Sequence, residues 1–340
     1  MWRTSTLTTY HKLYKGISGL VRYCYAQTRT IYSGIDIPPT DPDADSERYH
    51  AKKDSFHKYV FEDLGAPDAD LHTDILIIGT GAGGGVVAKK VSEWAKPRGL
   101  SVLVVEQGRY IPHEELTMSE SGSLQRMWDR GALTMNIEGT FPTGYGRTFG
   151  GGTTLNWGVS LRTPGAVRRE WASHNVENGG GGVEWFQSRE FSEALERVEK
   201  RMGVSSKNLV HNTPNRLLLE ACEVLGYKIE ETPVNSGGHT HSCSYCGNGC
   251  RYGEKMGTMN SWLVDASLAG ARFAERVSVR RVLFDQEQVI GAGGKRRRKV
   301  TGVEALVGDE GPERKTVVIK CSKVRPIYIQ MAILNFTKLT

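Results

Sequence analysis

The sequence predicts an α/β fold with a dinucleotide-binding unit, and three observations predict it. An apolar run, Ile75-Leu76-Ile77-Ile78, enters Gly79-Thr80-Gly81-Ala82-Gly83-Gly84; a helical stretch follows; a second apolar run, Val102-Leu103-Val104-Val105, ends at Glu106. Short apolar runs on either side of a helix-length segment read as strand, glycine turn, helix, strand. The glycines have G-x-G-x-x-G spacing in that context, and Glu106 follows at about the ~20 residues expected of a ribose-binding acid.

Each element has a physical task. Gly79 permits the tight turn, and Gly81 lets the backbone approach a pyrophosphate with no side chain in the way. Gly84 lets the helix pack closely on the strand, while the helix N-terminus offers free N–H groups and a partial positive charge to phosphates. Glu106 is expected to accept hydrogen bonds from ribose hydroxyls. The alternative is a glycine-rich loop in an ordinary α/β unit that binds nothing. The motif alone does not separate FAD from NAD.

A chain of 340 residues is long enough for two domains. Glycine makes up 40 of its residues, well above the usual ~7%, and clusters at 79–85, 150–152 and 179–182. The net charge of +6 is modest, and much of it sits in Lys295-Arg296-Arg297-Arg298-Lys299, so a general nucleic-acid surface is not indicated. That basic run reads as a solvated hairpin loop between strands at 277–284 and 300–307.

Elsewhere the pattern predicts helix over 1–35, a Pro- and Asp-rich linker over Asp36 to Asp45, and a short polar helix from His50 to Asp63. Helical spacing recurs from Glu190 to Met202, where Phe191, Leu195, Val198 and Met202 form a core stripe. Further helices are expected over Asn215 to Leu225, ending at Gly226, and over Trp262 to Ala269. The first 35 residues lack Asp and Glu but carry Arg3, Lys12, Lys15, Arg22 and Arg29. Such a stretch suits an organellar transit peptide or an amphipathic surface helix. No run approaches the ~20 apolar residues needed to span a bilayer.

A second glycine loop, Gly150-Gly151-Gly152-Thr153-Thr154-Leu155-Asn156-Trp157, and the block Cys243-Ser244-Tyr245-Cys246-Gly247-Asn248-Gly249-Cys250-Arg251-Tyr252-Gly253-Glu254-Lys255-Met256-Gly257-Thr258 add specificity. With the first loop, they make the chain resemble the GMC (glucose–methanol–choline) oxidoreductases, and within them the long-chain fatty alcohol oxidases, from about residue 73 to 320. The resemblance implies a Rossmann-like FAD-binding domain of GMC type with an incomplete second, substrate domain. It divides the chain into an N-terminal helical and linker segment (1–72), the FAD domain with part of the substrate domain inserted (73–320), and a divergent tail (321–340).

The resemblance also implies FAD, held at Gly79, Gly81, Ala82 and Gly84, with Glu106 on the adenosine ribose. Gly151, Gly152 and Asn156 would lie along the pyrophosphate and toward the flavin, and the Val279 main chain would meet the adenine. For Asn156 alone, a turn-stabilising role is the alternative. The implied reaction oxidises a long-chain primary alcohol, with O2 as acceptor and H2O2 as product. A quinone- or haem-coupled dehydrogenase and an inactive flavin-binding fragment are the alternatives. Membrane association follows by resemblance, with a peroxisomal or other organellar location as the alternative.

The resemblance stops near Lys320, where the family would turn back into the FAD domain through small residues. The family's catalytic histidine lies further on, so no catalytic base transfers onto this chain; His174, His211, His239 and His241 match no catalytic position. The expectation is a truncated chain that binds FAD poorly and does not turn over. Stoichiometric flavin together with alcohol-dependent peroxide from the purified chain would overturn it. Cys243, Cys246 and Cys250 form C-x2-C-x3-C beside His239 and His241. A tetrahedral zinc, an iron–sulfur centre, reduced thiols and a local disulfide all suit that spacing, and no metal is assigned. Trp128, Met135 and Trp171 suit either a substrate channel or ordinary core.

Overall fold

The structure, a computed structural model, describes residues 17–18, 21, 49–67, 69, 71–132, 134–136, 140–173, 184–240, 245–290, 296–309 and 311–326. The chain divides into two compact units. The first comprises 1–155, 245–253 and 258–340; the second comprises 156–244 and 254–257.

In the first unit, β1 (His72–Ile78) leads to α1 (Ala82–Ala95) and β2 (Val102–Val105). After these come α2 (Glu120–Arg126), the small ribbon β3 (Thr134–Met135) and β4 (Pro142–Thr143), and the single-turn α3 (Gly152–Leu155). The second unit holds α4 (Gly165–Ser173), α5 (Arg189–Met202) and α6 (Thr213–Leu225). The chain then returns to the first unit with α7 (Trp262–Leu268), β5 (Arg272–Ala274), β6 (Val277–Ile290), β7 (Arg296–Val307) and β8 (Lys315–Pro326).

The sheet order is β5-β2-β1-β8-β7-β6. β5, β2, β1 and β8 run parallel, and β7 and β6 add an antiparallel arm. With both faces of the sheet covered, the strand period of two explains why Ile75–Ile78 of β1 and all of β2 are apolar. Ile75, Ile77, Val102 and Val104 face Ala88, Leu263, Ala266 and Phe273 on the α1/α7 side. Leu76, Leu103 and Val105 face the other way, onto Val303, Ala305 and Ile319. Each such side chain contributes about 1.5–3 kcal/mol by leaving water. β1 therefore sits in the middle of the sheet with both faces covered, which makes the turn at its C-terminal end a rigid platform.

Several sequence expectations need correction. Of the polar helix expected over His50 to Asp63, only the helical His50 and a single 3-10 turn, Lys53–Ser55, are present. Beyond it the chain is extended, because Tyr59 and Phe61 enter an aromatic cluster with Tyr110, Phe149 and Phe273 at centroid distances of 4.8–6.4 Å. Phe61 also bridges to Phe273 in parallel. Burying those rings outweighs local helix preference. The basic run is not confined to a loop: Arg296 to Lys299 lie in β7, paired as far as Ile290↔Arg296. β8 runs through Cys321 to Pro326, so the residues at the start of the divergent tail lie in a strand. Of 1–35 only 17, 18 and 21 are described, each helical, and the linker lies outside the described residues.

The second unit shows the helices expected from Glu190 and Asn215, with their caps. Ser188 accepts from the Phe191 N–H at 3.1 Å, and Asn212 from the Asn215 N–H at 3.0 Å. Gly203 (φ 57°) and Gly226 (φ 70°) end the two helices in the left-handed conformation. Phe191 packs among Trp185 and Phe186, with the Arg168 guanidinium 4.9 Å from its ring centre. Among the described residues no helix is long and apolar enough to cross a membrane.

Candidate functional site

The turn after β1 and the second glycine loop meet within the first unit. Gly79 adopts φ 94°, which turns the chain from the strand into α1. Gly81 is the N-cap of α1 and has no side chain to bond the first-turn N–H groups, which point out of the helix end. Gly84 is a packing glycine: a Cβ there would stand 2.0 Å from the Gly79 carbonyl oxygen. Ala82 is exposed at the start of the helix.

The second loop comes up against the first. Gly150 (φ 88°) and Gly151 (φ 55°) are left-handed in succession. A Cβ on Gly151 would meet the Gly81 Cα at 2.8 Å, so the two loops touch backbone to backbone. Gly152, by contrast, is exposed, with nothing within 4 Å of a Cβ.

Buried hydroxyls hold this contact. Thr80 Oγ1 donates to Glu106 Oε2 at 2.6 Å and accepts from the Gly150 N–H at 2.9 Å. The Thr80 N–H donates to the same carboxylate oxygen at 2.9 Å, and the Gly108 N–H to the other, also at 2.9 Å. Thr258 Oγ1 donates to the Thr80 carbonyl at 2.8 Å, its N–H donates to Thr153 Oγ1 at 2.9 Å, and Thr153 Oγ1 donates to the Gly150 carbonyl at 2.7 Å.

Glu106 is 1% exposed. Burial holds its carboxyl above the usual carboxylate range, while the Thr80 and Gly108 hydrogen bonds pull the other way. The sequence reading turned this acid toward a ribose; in the structure both oxygens accept from Thr80 and Gly108. Thr80 and Thr258 were not singled out from the sequence. The only signals were the hydroxyl between the first two glycines and a threonine closing the cysteine block.

Two other predicted residues, Asn156 and Val279, take no hydrogen-bonded part in this network. Asn156 is the first residue of the second unit and is exposed, and its carbonyl accepts from Lys255 Nζ at 2.7 Å. Val279 lies in β6 opposite Ala305 and packs against the sheet core. It follows Val277, whose N–H donates to the Glu106 carbonyl at 2.8 Å, so β6 starts at the end of β2. A groove of about 340 Å³ in the second unit is walled by Trp157, Leu209, Leu218 and Ile229; of the two glycine loops it includes Trp157 alone.

The cysteine block serves packing. Asn248 Nδ2 donates to the Met118 carbonyl at 3.1 Å, and a Cβ on Gly249 (φ 92°) would meet Leu116 Cδ2 at 2.9 Å. Cys246 and Cys250 are buried; Cys243 and His241 lie outside the described residues. Among the described residues no group of three His, Cys, Asp or Glu is arranged to hold a metal ion. His211 pairs with Glu231 at 2.7 Å, within the second unit. Trp128 packs on Met127, Leu116 and Leu155, whereas Met135 and Trp171 are half exposed.

The cradle fits a diphosphate-linked cofactor. It presents an uncapped helix N-terminus, a glycine with room for a ligand oxygen at Gly81, and open space at Gly152.

The match to a family profile points the same way. The profile of the GMC oxidoreductase family matches residues 76–325. The chain is 34% identical over 248 residues to the long-chain-alcohol oxidase FAO4B of Arabidopsis thaliana, covering 73% of this chain and 31% of that protein. It is 30% identical over 272 residues to the Arabidopsis long-chain-alcohol oxidase FAO1, covering 78% and 34%. The chain thus spans about a third of the length of these curated relatives. Among solved structures, pyridoxine 4-oxidase from Mesorbium loti has a TM-score of 0.46 at 16% identity, with 75% of this chain and 49% of that chain covered. For formate oxidase the TM-score is 0.39 at 14% identity, with 75% and 45% covered.

Proposed function

The chain belongs to the GMC oxidoreductase family, whose cofactor is FAD, and from that premise we propose that it forms the flavin-binding part of a long-chain-alcohol oxidase. The reaction proposed is oxidation of a long-chain primary alcohol to the aldehyde, with O2 reduced to H2O2. The observation that carries the flavin site is the backbone contact of Gly81 with Gly151, which joins two glycine loops at one helix N-terminus. Support for the substrate class is the 30–34% identity to plant long-chain-alcohol oxidases.

In this reading the α1 N-terminus and the Gly81 and Ala82 N–H groups hold the pyrophosphate, with Gly151 and Gly152 along its other side. Gly79 and Gly84 shape the turn that brings helix and strand together. Glu106 stands at the ribose end, and Val279 supplies main chain to the adenine. The bound flavin supplies the two-electron acceptor. The chain's own contribution is to fix the cofactor's position with backbone donors. Because long-chain alcohols partition into lipid, a membrane-surface location belongs to the same proposal.

The test is a spectrum followed by an acceptor comparison. The purified full chain should take up FAD and show a flavin band. Protein extended to the length of the relatives should consume O2 and form peroxide with a long-chain primary alcohol. Reduction of a quinone analogue without O2 uptake would replace the oxidase with a dehydrogenase, and a protein that takes up NAD but no flavin would overturn the reading.

A further inference from the structure

We propose that Thr80 is a positioning residue that ties the two glycine loops into one cradle ahead of the cofactor, with the Glu106 carboxylate as its anchor. The proposal rests on the reading of this cradle as the flavin site and deepens it.

Three polar groups of this one residue lie in one buried network. Its N–H and its hydroxyl both donate to Glu106 Oε2, at 2.9 and 2.6 Å. Its hydroxyl oxygen accepts from the Gly150 N–H at 2.9 Å, and its carbonyl accepts from Thr258 Oγ1 at 2.8 Å. Thr80 is 0% and Thr258 2% exposed, so water does not substitute for these partners. The G-x-G turn places no demand on the identity of its middle residue, because the glycines alone make the bend. A hydroxyl there serves the second loop instead.

That loop needs holding. Gly150 and Gly151 are consecutively left-handed, a conformation glycine adopts and leaves freely. The hydroxyl must donate to the carboxylate and accept from the amide at once, which serine matches and valine does not. Glu106 joins the end of β2 to both loops through this single oxygen. Its own oxygens are satisfied by Thr80 and Gly108. The acid at the end of β2 is thus the foundation of the cradle.

The mechanism is preorganisation. Flavin affinity falls by the fraction of time the two loops spend apart. Thr80→Val keeps the shape and removes both hydrogen bonds; Thr80→Ser keeps the hydroxyl and removes a methyl. The full chain, freed of flavin, would be compared for amide exchange at 149–152 and then titrated with FAD by fluorescence. Thr80→Val should speed exchange at Gly150 by about tenfold or more and weaken FAD by a similar factor, while Thr80→Ser stays near the unsubstituted protein in both.

Unchanged exchange at Gly150 in Thr80→Val would overturn the proposal, as would a serine variant no better than the valine one or one that does not fold. Failure of Thr80→Val alone to fold would uphold the need for the hydroxyl. If the unsubstituted chain takes up no FAD, the flavin reading fails, and the exchange experiment still decides whether Thr80 joins the loops.

Discussion

Gly81 and Gly84 occupy neighbouring places in one motif, and the structure gives them opposite reasons for being glycine. At Gly84 a Cβ would stand 2.0 Å from the Gly79 carbonyl oxygen and 2.7 Å from its carbon. Both obstacles are backbone, so no rotamer change relieves them. Restoring ordinary contact at about 3.4 Å requires α1 to move more than an ångström from the turn. Overpacking of this kind costs roughly 1–3 kcal/mol and more where backbone must shift; the preference of a helix for alanine returns only about 0.5–1. Gly84→Ala should therefore destabilise the flavin-free chain by about 2 kcal/mol or more.

Gly81 is different. Its φ of −60° and ψ of −169° suit any residue, and a Cβ there approaches nothing closer than the Gly151 Cα at 4.0 Å. Gly81→Ala should change the stability of the flavin-free chain by less than about 1 kcal/mol, the scale of an N-cap change. If the diphosphate lies on this turn, the methyl occupies its place. FAD affinity should then fall about a hundredfold, which is about 2.7 kcal/mol. The assays are urea unfolding of flavin-free protein and a fluorescence titration with FAD. Wild-type FAD affinity in Gly81→Ala would refute the placement of the diphosphate, and unaltered stability in Gly84→Ala would refute the packing argument.

Three other outcomes are expected. Gly151→Ala forces both a left-handed alanine and a 2.8 Å contact with Gly81, so it should cost roughly 2–4 kcal/mol in urea unfolding; Gly152→Ala should be near neutral there. His113 stacks on Phe56 at 4.0 Å, and burial pushes its imidazole down to about 4. With the folded value below the unfolded one near 6.5, its contribution is complete above pH 6.5 and lost as pH falls toward 4, on the order of 3 kcal/mol. The urea midpoint against pH should flatten across that window in His113→Phe, and an unchanged slope would sink the assignment. Burial pushes the Cys321 thiol up to about 11; at pH 8 it should resist a thiol reagent in the native chain and react on unfolding, read by peptide mapping.

The site was most legible where local pattern and tertiary structure agree. Ile75 to Glu106 announced strand, turn, helix and strand because both strands are buried on two faces and carry no polar interruption. Gly226 marked the end of α6 through capping chemistry that needs no distant partner, whereas the Asn212 cap lies ahead of the Asn215 start read from the sequence. The extended path of Tyr59 and Phe61 was hidden because its cause, the Phe149 and Phe273 rings, lies far along the chain. The Thr80 network was hidden for a similar reason. A threonine inside G-x-G is unremarkable until Glu106, Gly150 and Thr258 are seen around it. Basic residues 296–299 read as loop from charge alone, yet pairing with β6 sets their conformation.

The neighbour of β1 on one side is β2, close in sequence; on the other it is β8, paired from His72↔Lys320 to Ile78↔Pro326. The glycine turn after β1 therefore grows from a strand with one flank open until the ribosome has delivered residues beyond 320. During that interval the nascent chain carries an unpaired β1 edge with an apolar stretch at Ile75–Ile78, the kind of surface that chaperones shield and that aggregates seed from. Closing so distant a parallel pair is slow. The competence to take up a nucleotide should accordingly appear late in biosynthesis, as a single event rather than by degrees.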